Sequence, residues 1–388
     1  MSCSKFQILN LPYLAKQQVT EFMDPIDILD LSFCSKRAKE CAMSHRVKRK
    51  YCNLFTRTTF NKHVGVEIVF SNDVKLSWML VKQLKKFGNH EPVQPRKVGN
   101  VNFEASSKEM SSNTLHTSCD NLEASLKLVI DHILSLFPCP VQSLYLDMKF
   151  FSNIHSISNW NALKKCKSLT LKTDGFARQD VENVLNMIDG YESLNLLGYD
   201  KEVFFNEKMA SLKQLKCVDA FFLSEQNIFK LNCETIELGE NSYKPVLLNK
   251  IMKTWLAGKF DNLRTLTILM ENIFENISDS QLLLIFSGVP LKVWDSKIRH
   301  RYYKKSSSTL YDCIHGCDIL RDDGKLATVF FANYSFNFLI WDEKFPDFTL
   351  SPGMCYSMNP KQPILTMKKY NSTDVYIVDV NKTDNEEI

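Results

Sequence analysis

The stretch "LPYLAKQQVTEFMDPIDILDLSFCSKRAKECA", residues 11–42, carries more apolar side chains than three short helices can hide among themselves. Pro12 suits the first turn of a helix, where its missing N–H costs nothing. Leu14, Val19, Phe22 and Met23 follow at helical spacing. Asp24-Pro25 ends that helix and opens the next, with Asp24 as N-cap and Pro25 as first helical residue. Ile26, Ile28, Leu29 and Leu31 are too many for one narrow stripe. Ser35 can cap a third helix running through Ala38, Cys41, Ala42 and Val47 towards Tyr51. Two readings of the surplus face stay open: it docks on the rest of the chain, or it binds another protein.

The order of residues across this stretch resembles the F-box. Leu11-Pro12, an apolar Val19 seven residues on, "FMDPIDILDLS" with Pro25, Ile28, Leu29, Leu31 and Ser32, and "CSKRAK" with Cys34 to Arg37 carry the likeness over roughly residues 5–47. The resemblance implies a three-helix domain over residues 5–50 that binds the Skp-type adaptor of Skp–cullin–F-box ubiquitin ligases, and through it a cullin. It further implies that Leu11, Pro12, Val19, Pro25, Ile28, Leu29, Leu31, Cys34 and Ser35 form or directly support the adaptor-binding surface. On that implication the surplus face belongs to an interface completed by another chain.

The chain of 388 residues is long enough for two or three domains. A net charge of +4 is too small to imply nucleic acid by itself. The start lacks the basic, apolar and small-residue pattern of a secretory signal, so the 12 cysteines are expected to be reduced. No apolar run approaches the ~20 residues of a membrane span. The expected location is cytoplasmic and/or nuclear, with no membrane partner.

Basic residues gather after the F-box-like stretch: Lys36, Arg37, Lys39, Arg46, Lys48, Arg49 and Lys50. They read either as a solvated helix end that opposes the negative end of the helix dipole, or as a phosphate-binding patch. The alternative function, a nucleic-acid-associated protein using residues 36–50, rests on them. No stacking aromatics are interleaved, so nucleic acid is not the expected partner.

Residues 51–140 read as a connecting region. "VGVEIVFS" (64–71) alternates like a half-buried strand, and 73–87 mixes strand and helix periods. Residues 88–120 are polar and proline-broken, which predicts a long mobile loop. "NLEASLKLVIDHILSLF" (121–137) is an amphipathic helix.

From residue 141 a half-motif recurs, apolar-x-x-apolar-x-apolar. It begins at "VQSLYL" (141), "CKSLTL" (166), "YESLNL" (191), "LKCVDA" (215), "CETIEL" (233) and "LRTLTI" (263). A period near 25 with helical segments between fits leucine-rich-repeat geometry, parallel strands with helical returns. The Asn or Cys that completes such a repeat is matched only by Asn241, among Lys149, Asp174, Tyr199, Leu223, Asn241 and Glu271. The turn chemistry therefore differs, and the expectation is a leucine-rich-repeat-like α/β solenoid.

"CDILRDDGKLATVFF" reads as a hairpin turning at Asp323-Gly324, with "YSFNFLIW" (334–341) as a third strand and "DVYIVDV" (374–380) as a fourth. "LYDCIHGCDILRDDGKLATVFF" resembles the type 2 F-box-associated domain of the expanded nematode F-box family, through Tyr311-Asp312-Cys313, Asp318-Ile319, Arg321, Asp323-Gly324 and Ala327-Thr328. That resemblance implies a target-binding surface within residues 141–388.

No Walker loop, dinucleotide glycine pattern, Gly-x-Ser-x-Gly or His-Glu-x-x-His occurs. Cys313, His315 and Cys317 lie close in sequence, but no second cluster completes a tetrahedral zinc site. Cys34, Cys41, His45 and Cys52 do not hold the spacing of a ligand set. No catalytic, cofactor-binding or metal residue is assigned. The expected molecule is α/β: a small three-helix F-box, a repeat-like sheet, and C-terminal antiparallel strands. Its expected role is a non-catalytic substrate-recognition subunit that takes an unidentified protein target.

Overall fold

The computed structural model describes residues 8–44, 49–56, 64–82, 94–98, 101–109, 113–198, 205–239, 244–270, 278–304, 309–332, 335–343, 355–356, 364–370 and 375–381. The chain divides into two compact units, Met1–Tyr191 and Glu192–Ile388. The division falls among the repeated strands.

The first unit opens with α1 (Tyr13–Glu21), α2 (Pro25–Cys34) and α3 (Lys36–Met43). A mixed sheet follows, built from β1 (Arg49–Thr56), β2 (Val64–Phe70), β3 (Lys75–Val81), β4 (Gln94–Val98), β5 (Val101–Glu109), β6 (Thr114–Ser118), β7 (Val141–Asp147) and β8 (Ser168–Lys172). Their spatial order is β8-β7-β1-β2-β3-β6-β5-β4. β1 and β8 run parallel to β7, and β1 runs antiparallel to β2. Helix α4 (Leu122–Leu136) covers this sheet with Leu126, Val129, Ile130 and Ile133, all buried. The Phe137 ring just past it meets Phe70 of β2 edge-on at 5.4 Å. Asn121 caps α4 by accepting from the Ala124 N–H at 3.0 Å. Helix α5 (Arg178–Met187) returns from β8 with Val181, Val184 and Leu185 inward.

Two sequence expectations change here. The third helix stops at Met43, and Arg49 already belongs to a strand. The polar 88–120 stretch contains β4, β5 and β6, joined antiparallel. Val98, Phe103 and Leu115 are buried there, but apolar residues this sparse do not show as an alternation in the sequence.

The second unit contains β9 (Ser193–Leu197), β10 (Gln214–Cys217), α6 (Glu225–Ile228), β11 (Thr235–Leu238), α7 (Pro245–Leu256), β12 (Thr265–Leu269), α8 (Asp279–Phe286), β13 (Leu291–Val293), β14 (Tyr302–Lys304), β15 (Thr309–Asp312), β16 (Cys317–Leu320), β17 (Leu326–Ala332), β18 (Ser335–Trp341) and the short β19 (Cys355–Tyr356). β9 to β12 are parallel, each beside its predecessor, and β18 joins β12 antiparallel. In register, Leu194, Leu215, Ile236 and Leu266 form one buried row, and Leu196, Cys217, Leu238 and Ile268 form the next. In the first unit, Leu144 and Leu146 pair with Leu169 and Leu171 in the same manner.

All six half-motifs therefore fall on parallel strands, with one correction of frame. Leu215 and Cys217 occupy the two inward positions, so the fourth motif is "LKQLKC" from Leu212, not "LKCVDA" from Leu215. The expected Val218 and Ala220 lie beyond the strand end.

Carboxylates serve the turns after these strands. Asp147 accepts from the Lys149 N–H at 3.1 Å, and Asp219 from the Gly198 N–H at 3.2 Å. Tyr199, Asn241 and Glu271 lie outside the described residues. A Cβ on Gly239 would sit 2.0 Å from the Val218 carbonyl oxygen, so the backbones touch there and no side chain fits.

The hairpin of β16 and β17 turns at Gly324 with φ +86, as the Asp-Gly pair requires. Beneath it, the buried Arg299 Nε reaches both oxygens of Asp318 at 2.8 and 2.9 Å, and its Nη2 donates to the Cys313 carbonyl at 2.9 Å. Thr328 donates to Asp318 at 2.7 Å and accepts from Trp341 Nε1 at 2.8 Å. Burial raises the Asp318 pKa despite these partners. Arg321 binds Asp323 and Asp261 and stacks 5.1 Å above the Trp255 ring. The motif residues Asp318, Arg321, Asp323 and Thr328 thus hold the hairpin to its neighbours. β21 (Val375–Asn381) pairs with β20 (Ile364–Tyr370) in a separate two-stranded sheet and does not extend the hairpin. Among the described residues, no helix is long and apolar enough to cross a membrane.

Candidate functional site

The N-terminal helices show two faces with different fates. Asp24 precedes α2, and its carbonyl accepts from Asp27 and Ile28 at 2.9 and 3.1 Å while Pro25 takes the first helical position. Ser35 ends α2 and caps α3, its hydroxyl accepting from the Ala38 N–H at 3.1 Å. These breaks fold the three helices back on one another. Pro25, Ile26, Ile28, Leu29, Ala38, Cys41 and Ala42 fill the space between them and the sheet. Ile28 and Leu29 are 0% exposed and support the domain from inside.

A seam anchors α2 to its own body. Phe33 meets Trp78 of β3 edge-on at 5.5 Å and stacks on His132 of α4 at 5.4 Å. The Arg96 guanidinium of β4 lies 5.2 Å above the Phe33 ring and pairs with Asp30. Ser32 donates to the Leu29 carbonyl at 2.6 Å and lies 2.9 Å from His132 Nε2. Its single proton is committed to Leu29, so the ring nitrogen is the donor to Ser32. Burial, aided by nearby Lys39, lowers the His132 pKa to about 4, and the ring is neutral.

Other apolar residues of these helices are exposed. Phe22 is 90% exposed, Leu14 70%, Tyr13 62% and Met43 48%. Pro12 is exposed beside them, and Leu11 and Val19 are half-buried. Gln17 ties α1 to the end of α3, donating to Tyr13 Oη at 2.8 Å and to the Ser44 carbonyl at 3.5 Å. Four large apolar residues of this small helix pair thus stay exposed. Of the residues implied by resemblance, Pro12, Cys34 and Ser35 are exposed, Leu11, Val19 and Leu31 half-buried, and Pro25, Ile28 and Leu29 interior. Leu14 and Phe22 carry the largest exposed apolar fractions, yet helical periodicity treats them as ordinary stripe positions. Their signal in the sequence is surplus: they remain after one core stripe is filled.

The basic residues do not share one helix end. Arg37 donates to the Leu9 carbonyl at 2.8 Å, Arg49 to the Leu136 carbonyl at 3.1 Å, and Lys50 pairs with Asp73 at 2.6 Å. His45, Arg46, Val47 and Lys48 lie outside the described residues. Cys34, Cys41 and Cys52 belong to three different elements. Cys313 and Cys317 are buried with thiols pushed up to about 12, while His315 is exposed on the turn between them. Among the described residues no group of His, Cys, Asp or Glu is arranged to hold a metal ion. A cleft of about 660 Å³ opens at the start of α4, beside Glu123, Lys149 and Phe151. The Glu123 carboxylate there is already occupied by the Ser152 N–H and the Ser152 and Ser156 hydroxyls, at 2.8–2.9 Å.

Comparison with known families places an F-box domain at residues 8–50. The Caenorhabditis elegans uncharacterized protein F59B2.9 is 24% identical over 358 residues, spanning 88% of this chain and 80% of its own length. The uncharacterized protein F59B2.8 of the same organism is 23% identical over 356 residues, 89% of this chain and 79% of its own. No solved structure matches the chain.

Proposed function

We propose that this protein is a substrate-recognition subunit of a Skp–cullin–F-box ubiquitin ligase, with no chemistry of its own. The carrying observation is the matched F-box domain, in which Pro12, Tyr13, Leu14, Phe22 and Met43 remain exposed while α2 is fixed to the body. The adaptor covers Pro12, Tyr13, Leu14, Phe22 and Met43 and links the chain to a cullin. The remainder of the chain holds a target protein, and proximity raises the effective concentration of its lysines near the charged ubiquitin-conjugating enzyme. Rigid attachment through Phe33, His132 and Arg96 serves this positional mechanism, because a swinging receptor would dilute the target.

We also read the parallel strands from residue 141 as leucine-rich-repeat-like, and the region they share with the β16–β17 hairpin as similar to the type 2 F-box-associated domain. The common register of the leucine rows and the Arg321–Asp323-Gly324 turn support that reading.

Co-expression with a Skp-type adaptor tests the proposal. Wild-type protein is expected to co-purify with it. Leu14→Asp with Phe22→Asp is expected to weaken binding at least about 30-fold, the effect of losing an anchor worth ~2 kcal/mol. The unfolding midpoint should stay unchanged, since neither side chain is buried. Full retention of binding in that folded variant overturns the assignment of this face.

A further inference from the structure

The sheet of the first unit gathers several strand ends around one opening. β1, β3, β6 and β7 run in one direction: β1 is parallel to β7, β3 is parallel to β6, and β2 lies antiparallel between β1 and β3. The cleft of about 660 Å³ opens at their carboxyl ends. Lys82 follows β3, Asp120 to Glu123 follow β6 and lead into α4, and Lys149 to Ser152 follow β7. Val64, where the antiparallel β2 begins, lies at the same end. The crossover through α4 carries the chain from β6, on one side of β1, to β7 on its other side. In open α/β sheets, ligands bind in the crevice outside the carboxyl ends of the strands at such a reversal, because the connections part there and leave room.

The walls of this cleft divide by chemistry. Val64 and Phe151 are buried, and Leu122 and Phe150 are half-buried, so they supply an apolar floor. The aromatic part of it is braced: Phe151 meets Phe150 edge-on at 5.2 Å and Trp160 at 5.7 Å. Lys82 and Lys149 are exposed, and among the described residues neither ammonium group has a carboxylate partner. Of the two carboxylates, Glu123 is committed to its three donors on Ser152 and Ser156. Asp120 then stands alone against two ammonium groups. The first N–H groups of α4 add the positive end of its dipole on the same side.

We propose that this cleft binds an amphipathic organic anion, with an aromatic or other apolar body seated on Phe150, Phe151 and Val64 and one carboxylate or phosphate held by Lys82 and Lys149. A bare inorganic anion would leave the apolar floor in water, and an uncharged ring would gain nothing from the lysines. A ligand that joins the two uses both. The volume suits such a molecule, since pockets for small organic ligands span roughly 300–1,000 Å³. The same chemistry is available to a free small molecule and to neighbouring aromatic and acidic side chains of a bound peptide. None of Pro12, Tyr13, Leu14, Phe22 and Met43 lines the cleft, so the inference does not depend on adaptor binding.

Titration of 4-phenylbutyrate into the full chain, methyl-labelled at leucine and valine and followed by NMR, tests it. Binding is expected with a dissociation constant of about 1–5 mM, ordinary for so small a ligand. The methyl signals of Val64 and Leu122 should shift while those of Leu14 stay in place. 4-Phenylbutyramide, which lacks the charge, should bind about fivefold more weakly or worse. Lys82→Gln with Lys149→Gln should bring the acid down to the level of the amide, and both positions are exposed, so the fold should be kept. The blocked dipeptide acetyl-Phe-Asp-amide separates the two sources. If it binds more tightly than 4-phenylbutyrate, the anion comes from a peptide; the reverse order indicates a free small molecule. Equal binding of acid and amide, unchanged binding of the acid to the folded double variant, or no shift at Val64 and Leu122 overturns the proposal.

Discussion

His132 shows how one side chain can set a condition on the whole N-terminal domain. Its ring is stacked on Phe33 and donates to Ser32, with burial holding it neutral. The folded pKa of about 4 lies below the ordinary 6.5, so the unfolded chain binds the proton first. The stability that this ring contributes is therefore complete above pH 6.5 and is lost as the pH falls towards 4. Urea unfolding followed from neutral pH down into that window should show the loss. His132→Phe keeps an aromatic ring against Phe33 but cannot titrate. Its stability is expected to fall less on acidification, and an identical pH dependence in the two proteins would discount the ring. Nothing local in "VIDHILSL" announces this role, because Ser32 and Phe33 arrive from a helix a hundred residues earlier.

At the scale of elements, the three short helices divide their apolar residues between two tasks. α2 is the buried one, and Ile28→Ala is expected to destabilise the protein by about 2–5 kcal/mol, as large-to-small changes in a packed core do. Chemical denaturation reads that effect, and adaptor binding should weaken only in proportion to the unfolded population. This is the opposite pattern from Leu14→Asp with Phe22→Asp, which should leave stability alone and remove binding. The sequence located the starts of α2 and α3, because Asp24-Pro25 and Ser35 act through local backbone chemistry, but it carried α3 past its end at Met43. It was silent on which stripe faced inward, since Ile28 and Phe22 look equally apolar until the sheet beneath α2 is in place. It also missed β1, whose entry is basic, and β4 to β6, where few of the residues that alternate inward are apolar.

Over the whole molecule the charge is modest, and Arg37, Arg49 and Lys50 are drawn into three separate contacts. Adaptor binding through an apolar face should change little as sodium chloride rises from about 50 to 500 mM, whereas phosphate-driven binding falls steeply. A titration of adaptor affinity against salt distinguishes them, and a steep decline would favour the basic segment as the functional surface. The six apolar half-motifs were legible as strands, since a period of two within a period near 25 is a local pattern repeated. Their fourth frame was not, because "LKQLKCVDA" satisfies the pattern twice and only pairing with Leu194 and Ile236 selects Leu215 as the first inward residue. By itself the sequence determined the helical N-terminus, the parallel strands, the Asp323-Gly324 hairpin and the F-box, each written in neighbouring residues. Tertiary structure alone decided that Ile28 is core while Phe22 is surface, and that His132 meets Ser32 and Phe33. Burial and proximity between distant segments are properties of the packed chain, and no local spacing encodes them.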